Sequence, residues 1–232
     1  QIMFPGRAGA EDFDVIAMPA HDANRQFETR PNVITITGAP SLITPEVLLE
    51  ESARWKDRFD SLPRPFVAVI VGGATRRRPF SQVDAFELGQ RVAALAKSVG
   101  GSVLLTTSRR TGQSAEAAML QSIPEPRHVF LWGNDGDNPY RGYLALADAI
   151  VVTGDSVSMC AEACATETPV YIYAPAHSTS AKHARFHRDL YDRGYARPLD
   201  ETLEDWSHPP LNPAEDVVAA VRRVVSGQPV KG

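Results

Sequence analysis

From Pro65 onward, short runs that are almost wholly apolar alternate with longer stretches that mix polar and apolar positions at helical spacing. The runs Phe66 to Val71, Ser102 to Thr107, His128 to Leu131, Ala149 to Val152 and Pro169 to Tyr173 predict strands. Between and after them, helices are predicted from about Ser81 to Ser98, Gln113 to Ser122, Tyr140 to Ala147, through Glu162, near Ser180 to Asp192, and from Pro213 to Ser226. Strands so uniformly apolar need cover on both faces, and strand–helix alternation supplies it. The prediction is an α/β fold with a doubly wound, Rossmann-like parallel sheet.

Residues 1–62 follow another pattern. Phe13 to Met18 and Asn32 to Thr37 predict two short strands. Thr44-Pro45-Glu46 then opens a helix running to about Asp60, with Thr44 as N-cap and Pro45 in the first turn. The prolines of Leu62-Pro-Arg-Pro65 mark a boundary, because each discourages helix in the residue before it. The expected organisation is a partial N-terminal α/β segment with its connecting helix over 1–62, and a nucleotide-binding domain over 63–232. Because the chain opens at Gln1 rather than Met, more of the N-terminal domain is expected ahead of it.

In an open parallel sheet, ligands bind outside the carboxyl ends of the strands, where the strand order reverses. After the first apolar strand comes Gly72-Gly-Ala-Thr-Arg-Arg-Arg78. After the second comes Thr106-Thr-Ser-Arg-Arg-Thr-Gly112, and after the fourth Thr153-Gly-Asp-Ser156. With strand order 3-2-1-4-5, Gly72 and Gly73 would face Gly154 to Ser158. Glycines let backbone approach a pyrophosphate closely, Thr75 adds a hydroxyl, and Arg76 to Arg78 with Arg109 and Arg110 add guanidinium groups for anionic oxygens. A solvated basic rim with one or two working members would give the same sequence. Neither a G-x-G-x-x-G fingerprint nor a P-loop is present, which disfavours a nicotinamide site.

The segment Val151 to Glu162 is the most informative. A strand breaks at Gly154 and gives way to a helix of small and apolar residues, interrupted by Asp155, Ser158 and Glu162 at i, i+3, i+7, so that the three are expected on one face. A carboxylate on such a helix is costly without a partner. The helix start suits a phosphate at Ser156 to Ser158, and Glu162 suits a hydroxyl-bearing group. An N-cap followed by a structural carboxylate would leave the same pattern.

Composition adds limits. Across 232 residues, 43% are hydrophobic and 22% charged, as in ordinary globular chains, and a net charge of −4 argues against broad nucleic-acid binding. Neither a transmembrane run nor a signal peptide is visible, so the expected location is cytoplasmic, with peripheral membrane contact left open. Cys160 and Cys164, one helical turn apart, read as small buried thiols. His183 and His187 share a zinc-like spacing that lacks a third ligand, so no metal is expected. His177 could contact substrate or act as a base, and His21-Asp22 could be an orienting pair at an inter-domain cleft. Trp132 to Asp135 could hold a flat base, or be an ordinary turn.

The strand–Gly–Gly start and the Gly-Asp-Ser…Glu helix resemble the donor-binding half of GT-B glycosyltransferases, in which a helix start holds a diphosphate and a later glutamate holds the ribose. A wider resemblance rests on Met18-Pro-Ala-His-Asp22, Thr37-Gly-Ala39 with Thr44-Pro-Glu46, Gly72-Gly73, Thr107-Ser-Arg-Arg-Thr111, Leu146 to Met159, Glu162-Ala163 and Pro169 to Ile172. These resemble the plant and bacterial family named for elongated mitochondria. Its plant namesake is described as a mitochondrial-surface factor that helps recruit a dynamin-like fission protein. The Ala/Arg-rich composition looks bacterial.

The resemblance to GT-B glycosyltransferases implies a metal-independent transferase that takes a nucleotide diphosphate sugar as substrate, without a cofactor. Ser156, Ser158 and Gly73 would hold phosphate, Arg76 and Arg109 would neutralise it, and Glu162 would read the ribose, with Gly72, Thr75, Gly154 and Asp155 completing the site. His21 or Asp22 is the candidate acceptor base. The alternative is a non-catalytic interaction protein on the same scaffold.

Overall fold

The structure is a computed structural model, and it describes residues 1–230 apart from Phe4, Arg7, Asn24, Arg77 and Glu201. Two short strands, β1 (Ile16–Pro19) and β2 (Val33–Ile36), pair in parallel across the short helix α1 (Arg25–Glu28). Helix α2 (Pro45–Trp55) begins as its sequence directs: the Thr44 hydroxyl accepts a hydrogen bond from the Val47 amide, and Pro45 sits in the first turn, where no amide hydrogen is needed. It stops short of Asp60 and tightens into a 3₁₀ turn over Lys56–Arg58.

The main sheet contains β3 (Phe66–Val71), β4 (Ser102–Thr107), β5 (Arg127–Phe130), β6 (Ala149–Thr153), β7 (Val170–Tyr173) and β8 (Arg197–Pro198). All pair in parallel, in the order β5-β4-β3-β6-β7-β8. The order reverses between β3 and β6, as expected from the sequence, and β8 adds an unanticipated edge. Every residue of β3, β4, β6 and β7 is buried, which is why these strands carry no polar alternation.

Helices α3 (Gln82–Ser98) and α4 (Gln113–Ser122) cover one face. The other is covered by α5 (Tyr140–Leu146), α6 (Val157–Cys164) and α7 (Ala181–Asp192). The connecting helix joins this second layer: Trp55 and Phe59 belong to the same buried cluster as Phe66, Tyr143 and Leu144. The last helix, α8 (Pro213–Val225), returns to the small sheet, where Ala220 packs with Val15 and Val230. Burial pushes the thiols of Cys160 and Cys164 above the usual cysteine range, so both stay neutral in the core. Among the described residues, no helix is long and apolar enough to cross a membrane.

Candidate functional site

Neighbouring β3 and β6 bring Gly72-Gly73 and Thr153-Gly154 together at the carboxyl edge of the sheet. The Gly72 amide donates to the Thr153 hydroxyl at 2.8 Å. Gly73 has φ of +119°, and a Cβ there would lie 2.4 Å from the Arg110 carbonyl carbon. Glycine is therefore needed twice over, for conformation and for space. The loop after β4 is fastened to the same point. Thr111 Oγ1 lies 3.1 Å from the Gly72 carbonyl oxygen and accepts from the Ser108 amide at 3.0 Å. The Ser108 hydroxyl donates to the Gly72 carbonyl and accepts from the Arg110 amide. The Ser-Arg-Arg-Thr string thus acts first as a clasp between two strand ends.

The expectation that Asp155, Ser158 and Glu162 share a helix face is corrected by the structure. Ser156 is the N-cap of α6, its hydroxyl accepting from the Met159 amide, so the helix starts at Val157 and Asp155 precedes it. Freed from helical geometry, the Asp155 carboxylate turns toward β3. A Cβ on Gly72 would come within 2.5 Å of its Oδ2. Oδ2 meets Arg110 Nη1 at 2.6 Å, and the same Nη1 donates to the Ala74 carbonyl at 3.0 Å. Neither Asp155 oxygen has a partner aligned well enough to count as a hydrogen bond, so the ion pair with Arg110 is its main compensation.

The site is split in two. On the side of β6 and β7, Gly73, Thr75, Gly154 and Asp155 line a cavity of about 20 Å³, room for about one water. On the other side, a cleft of about 470 Å³ is lined by Ser108, Trp132, Asn138, Tyr140, Met159 and Glu162, among others. Glu162 accepts from the Tyr140 hydroxyl. Burial, together with the neighbouring Glu162 charge, holds the Tyr140 hydroxyl well above the usual tyrosine pKa, so it stays a donor. Trp132 is 56% exposed, and its amide donates to Thr107 Oγ1 at 2.8 Å, which fixes the loop while leaving the indole open to the cleft.

Other candidates fall further out. Ser158, Arg76 and Arg109 are exposed, and Arg77 of the basic run lies outside the described residues. Arg78 donates to the His177 carbonyl at 2.7 Å, and His177 Nε2 meets Asp84 Oδ1 at 2.6 Å, so His177 serves this loop rather than the cleft. Burial alone would raise the Asp84 pKa, but hydrogen bonds from Ser81 and His177 bring it below the usual carboxylate value.

His21 is buried at 5% exposure, 4.9 Å from the Phe186 ring, with its Nε2 3.7 Å from Asp22. Burial lowers its pKa, against the pull of Asp22. Asp22 pairs with Lys182 at 2.6 Å. The small sheet is held against α7 by these contacts and by Thr37, which donates to Asp189 at 3.0 Å. The sequence groups Arg110 with Arg109 without choosing between them and marks His187 only for its spacing from His183, whereas Tyr140 carries no local signal.

Comparison with known proteins places these features in context. The family model for Mitochondrial fission ELM1 matches residues 1–225. "Mitochondrial fission protein ELM1" of Arabidopsis thaliana is 30% identical over 98% of this chain and 58% of its own length. "Uncharacterized protein RP120" of Rickettsia prowazekii is 30% identical over 87% of this chain and 57% of its own. The chain thus spans less than two thirds of either relative. Among solved structures, MurG of Acinetobacter baumannii aligns with a TM-score of 0.41 and 14% identity, over 80% of this chain and 46% of that one. On the strength of the family match, the chain belongs to the mitochondrial fission ELM1 family.

Proposed function

We propose that the crevice between β3 and β6 binds a nucleoside diphosphate, as part of a sugar nucleotide, and that the protein acts as a metal-independent, GT-B-type glycosyltransferase. The observation that carries this reading is the Glu162 carboxylate, held by Tyr140 in the wall of an open 470 Å³ cleft beside the point where the strand order reverses. A carboxylate oriented by one donor retains acceptor capacity for ribose hydroxyls. Trp132 offers a flat apolar surface to a base. Gly73, Ser156 and Ser158 bring backbone and hydroxyl donors to the diphosphate, Gly72, Thr75 and Gly154, whose own amides are engaged within the chain, shape its approach, and Arg76 and Arg109 lie on the solvent side. Such donors favour the charge that develops on a departing diphosphate. His21 and Asp22 remain the acceptor-base candidates; buried His21 needs the small sheet to shift from α7 before it reaches an acceptor, and Asp22 needs to part from Lys182.

A non-catalytic scaffold is the second reading. It is favoured by the burial of His21 and the engagement of Asp22 by Lys182. The plant relative's name, a mitochondrial fission protein, also suits a protein that works through partners. Incubation with UDP-, GDP- and ADP-sugars separates the readings. Release of nucleoside diphosphate supports transfer chemistry, binding without release supports the scaffold, and neither binding nor release removes the nucleotide site.

A further inference from the structure

The two halves of the crevice are in different states. The nucleoside side is open, whereas the phosphate side is filled by the chain's own carboxylate: Asp155 packs on Gly72 and pairs with Arg110 at 2.6 Å. Arg110 is the described guanidinium group that reaches this edge from the β4 loop, and its charge is already spent. A phosphate drawn to the Nη1 that Asp155 already holds would meet the carboxylate's like charge at close range. The remaining 20 Å³ is far too small for a phosphate.

We propose that Asp155 is the specificity-determining residue of the site. It occupies the seat of the ligand's phosphate nearest α6, and a nucleoside diphosphate binds by replacing the Asp155 carboxylate at Arg110. This rests on the nucleotide-site reading above. Asp155 swings away from Gly72 as the phosphate enters, and the Arg110 fork passes from carboxylate to phosphate with no change in the number of charges it neutralises. The consequence is a site that gains less from the diphosphate than its other donors, Ser156, Ser158, Arg76 and Arg109 among them, would supply alone. A nucleoside, which fills only the open cleft, avoids the exchange and binds within about tenfold of the diphosphate.

The test compares uridine, guanosine and adenosine with UDP, GDP and ADP by calorimetry, in the wild-type chain and in Asp155→Asn. In the wild type, the preferred nucleoside and its diphosphate should bind within about tenfold of each other. Asp155→Asn should strengthen the diphosphate by at least about tenfold and leave the nucleoside within about twofold. Diphosphate affinity that is unchanged or weaker in the variant overturns the proposal while leaving the site reading intact. Failure of every ligand to bind either protein overturns both.

Asp155→Ser is the second variant should Asp155→Asn fail to fold. A measurement on the wild type stands beside them: ¹⁵N resonances of the Arg110 guanidinium should move with the diphosphate and stay in place with the nucleoside. An Arg110 signal indifferent to the diphosphate contradicts the exchange.

Discussion

Gly154 and His187 lock together at the end of β6. The His187 ring lies so close that a Cβ at position 154 would meet its Cε1 at 2.4 Å, and His187 Nε2 donates to the Gly154 carbonyl at 2.8 Å. Since a carbonyl only accepts, Nε2 carries the proton, and because burial lowers the pKa to about 4 the ring is neutral at pH 7. One contact thus joins α7 to the turn that leads into α6.

Replacing Gly154 by alanine forces the ring or the turn to move. Overpacking of this kind costs about 1–3 kcal/mol, which for a chain of this size lowers Tm by several degrees. Thermal unfolding of Gly154→Ala should show that drop, and an unchanged Tm would mean that the turn yields freely.

The same histidine makes stability depend on pH. Burial pulls its pKa from 6.5 down to about 4, against the carbonyl hydrogen bond. The folded pKa is the depressed one, so between pH 6.5 and 4 the unfolded chain binds the proton first and stability falls as pH falls. The full loss is about 3 kcal/mol. His21, His128 and His183 are lowered in the same direction, mainly by burial. Urea midpoints at pH 7 and pH 4.5 should differ accordingly. His187→Gln, which retains a donor, should shrink the difference, and a gap of undiminished size would assign the effect to other groups.

The connecting helix belongs energetically to the main domain. Trp55 is 2% exposed and stacks on Phe59 at 5.9 Å between ring centres, while its indole N–H donates to Glu51 at 2.9 Å. Trp55→Ala should cost about 3–5 kcal/mol, read from denaturant unfolding. A loss below 1 kcal/mol, judged against that range, would mean that α2 docks only loosely.

Tyr140 orients Glu162, so Tyr140→Phe should weaken nucleotide binding while leaving the Glu162 carboxylate in the cleft. A loss of about threefold is expected, smaller than the roughly tenfold loss for Glu162→Ala. Titration of both variants checks the order, and an inverted order would make Tyr140 the principal ligand contact.

Much of this was readable from the chain. β3, β4 and β6 announce themselves because strands covered on both faces tolerate few polar residues, and Glu162 stands out as a carboxylate on an apolar helix. Two elements escaped for lack of pattern: α1 has four residues, too few for a helical period, and β8 is an Arg-Pro pair recruited only by its neighbour β7. The site was legible to the level of segments but not of side chains. Ser156 rather than Asp155 takes the N-cap, and that local contest turns Asp155 from the helix face to Arg110. The choice of Arg110 over Arg109 follows from the hydrogen bonds of Ser108 and Thr111, which fold their loop around Gly72. Tyr140 finds Glu162 across 22 residues of sequence, beyond the reach of any local periodicity.

The nucleotide site is the central claim, and calorimetric titration with UDP, GDP and ADP tests it most directly, with Glu162→Ala run in parallel. The account predicts micromolar binding of one diphosphate, weakened at least about tenfold, or roughly 1.4 kcal/mol, in the variant. Absence of binding by all three, or binding indifferent to Glu162, would contradict it.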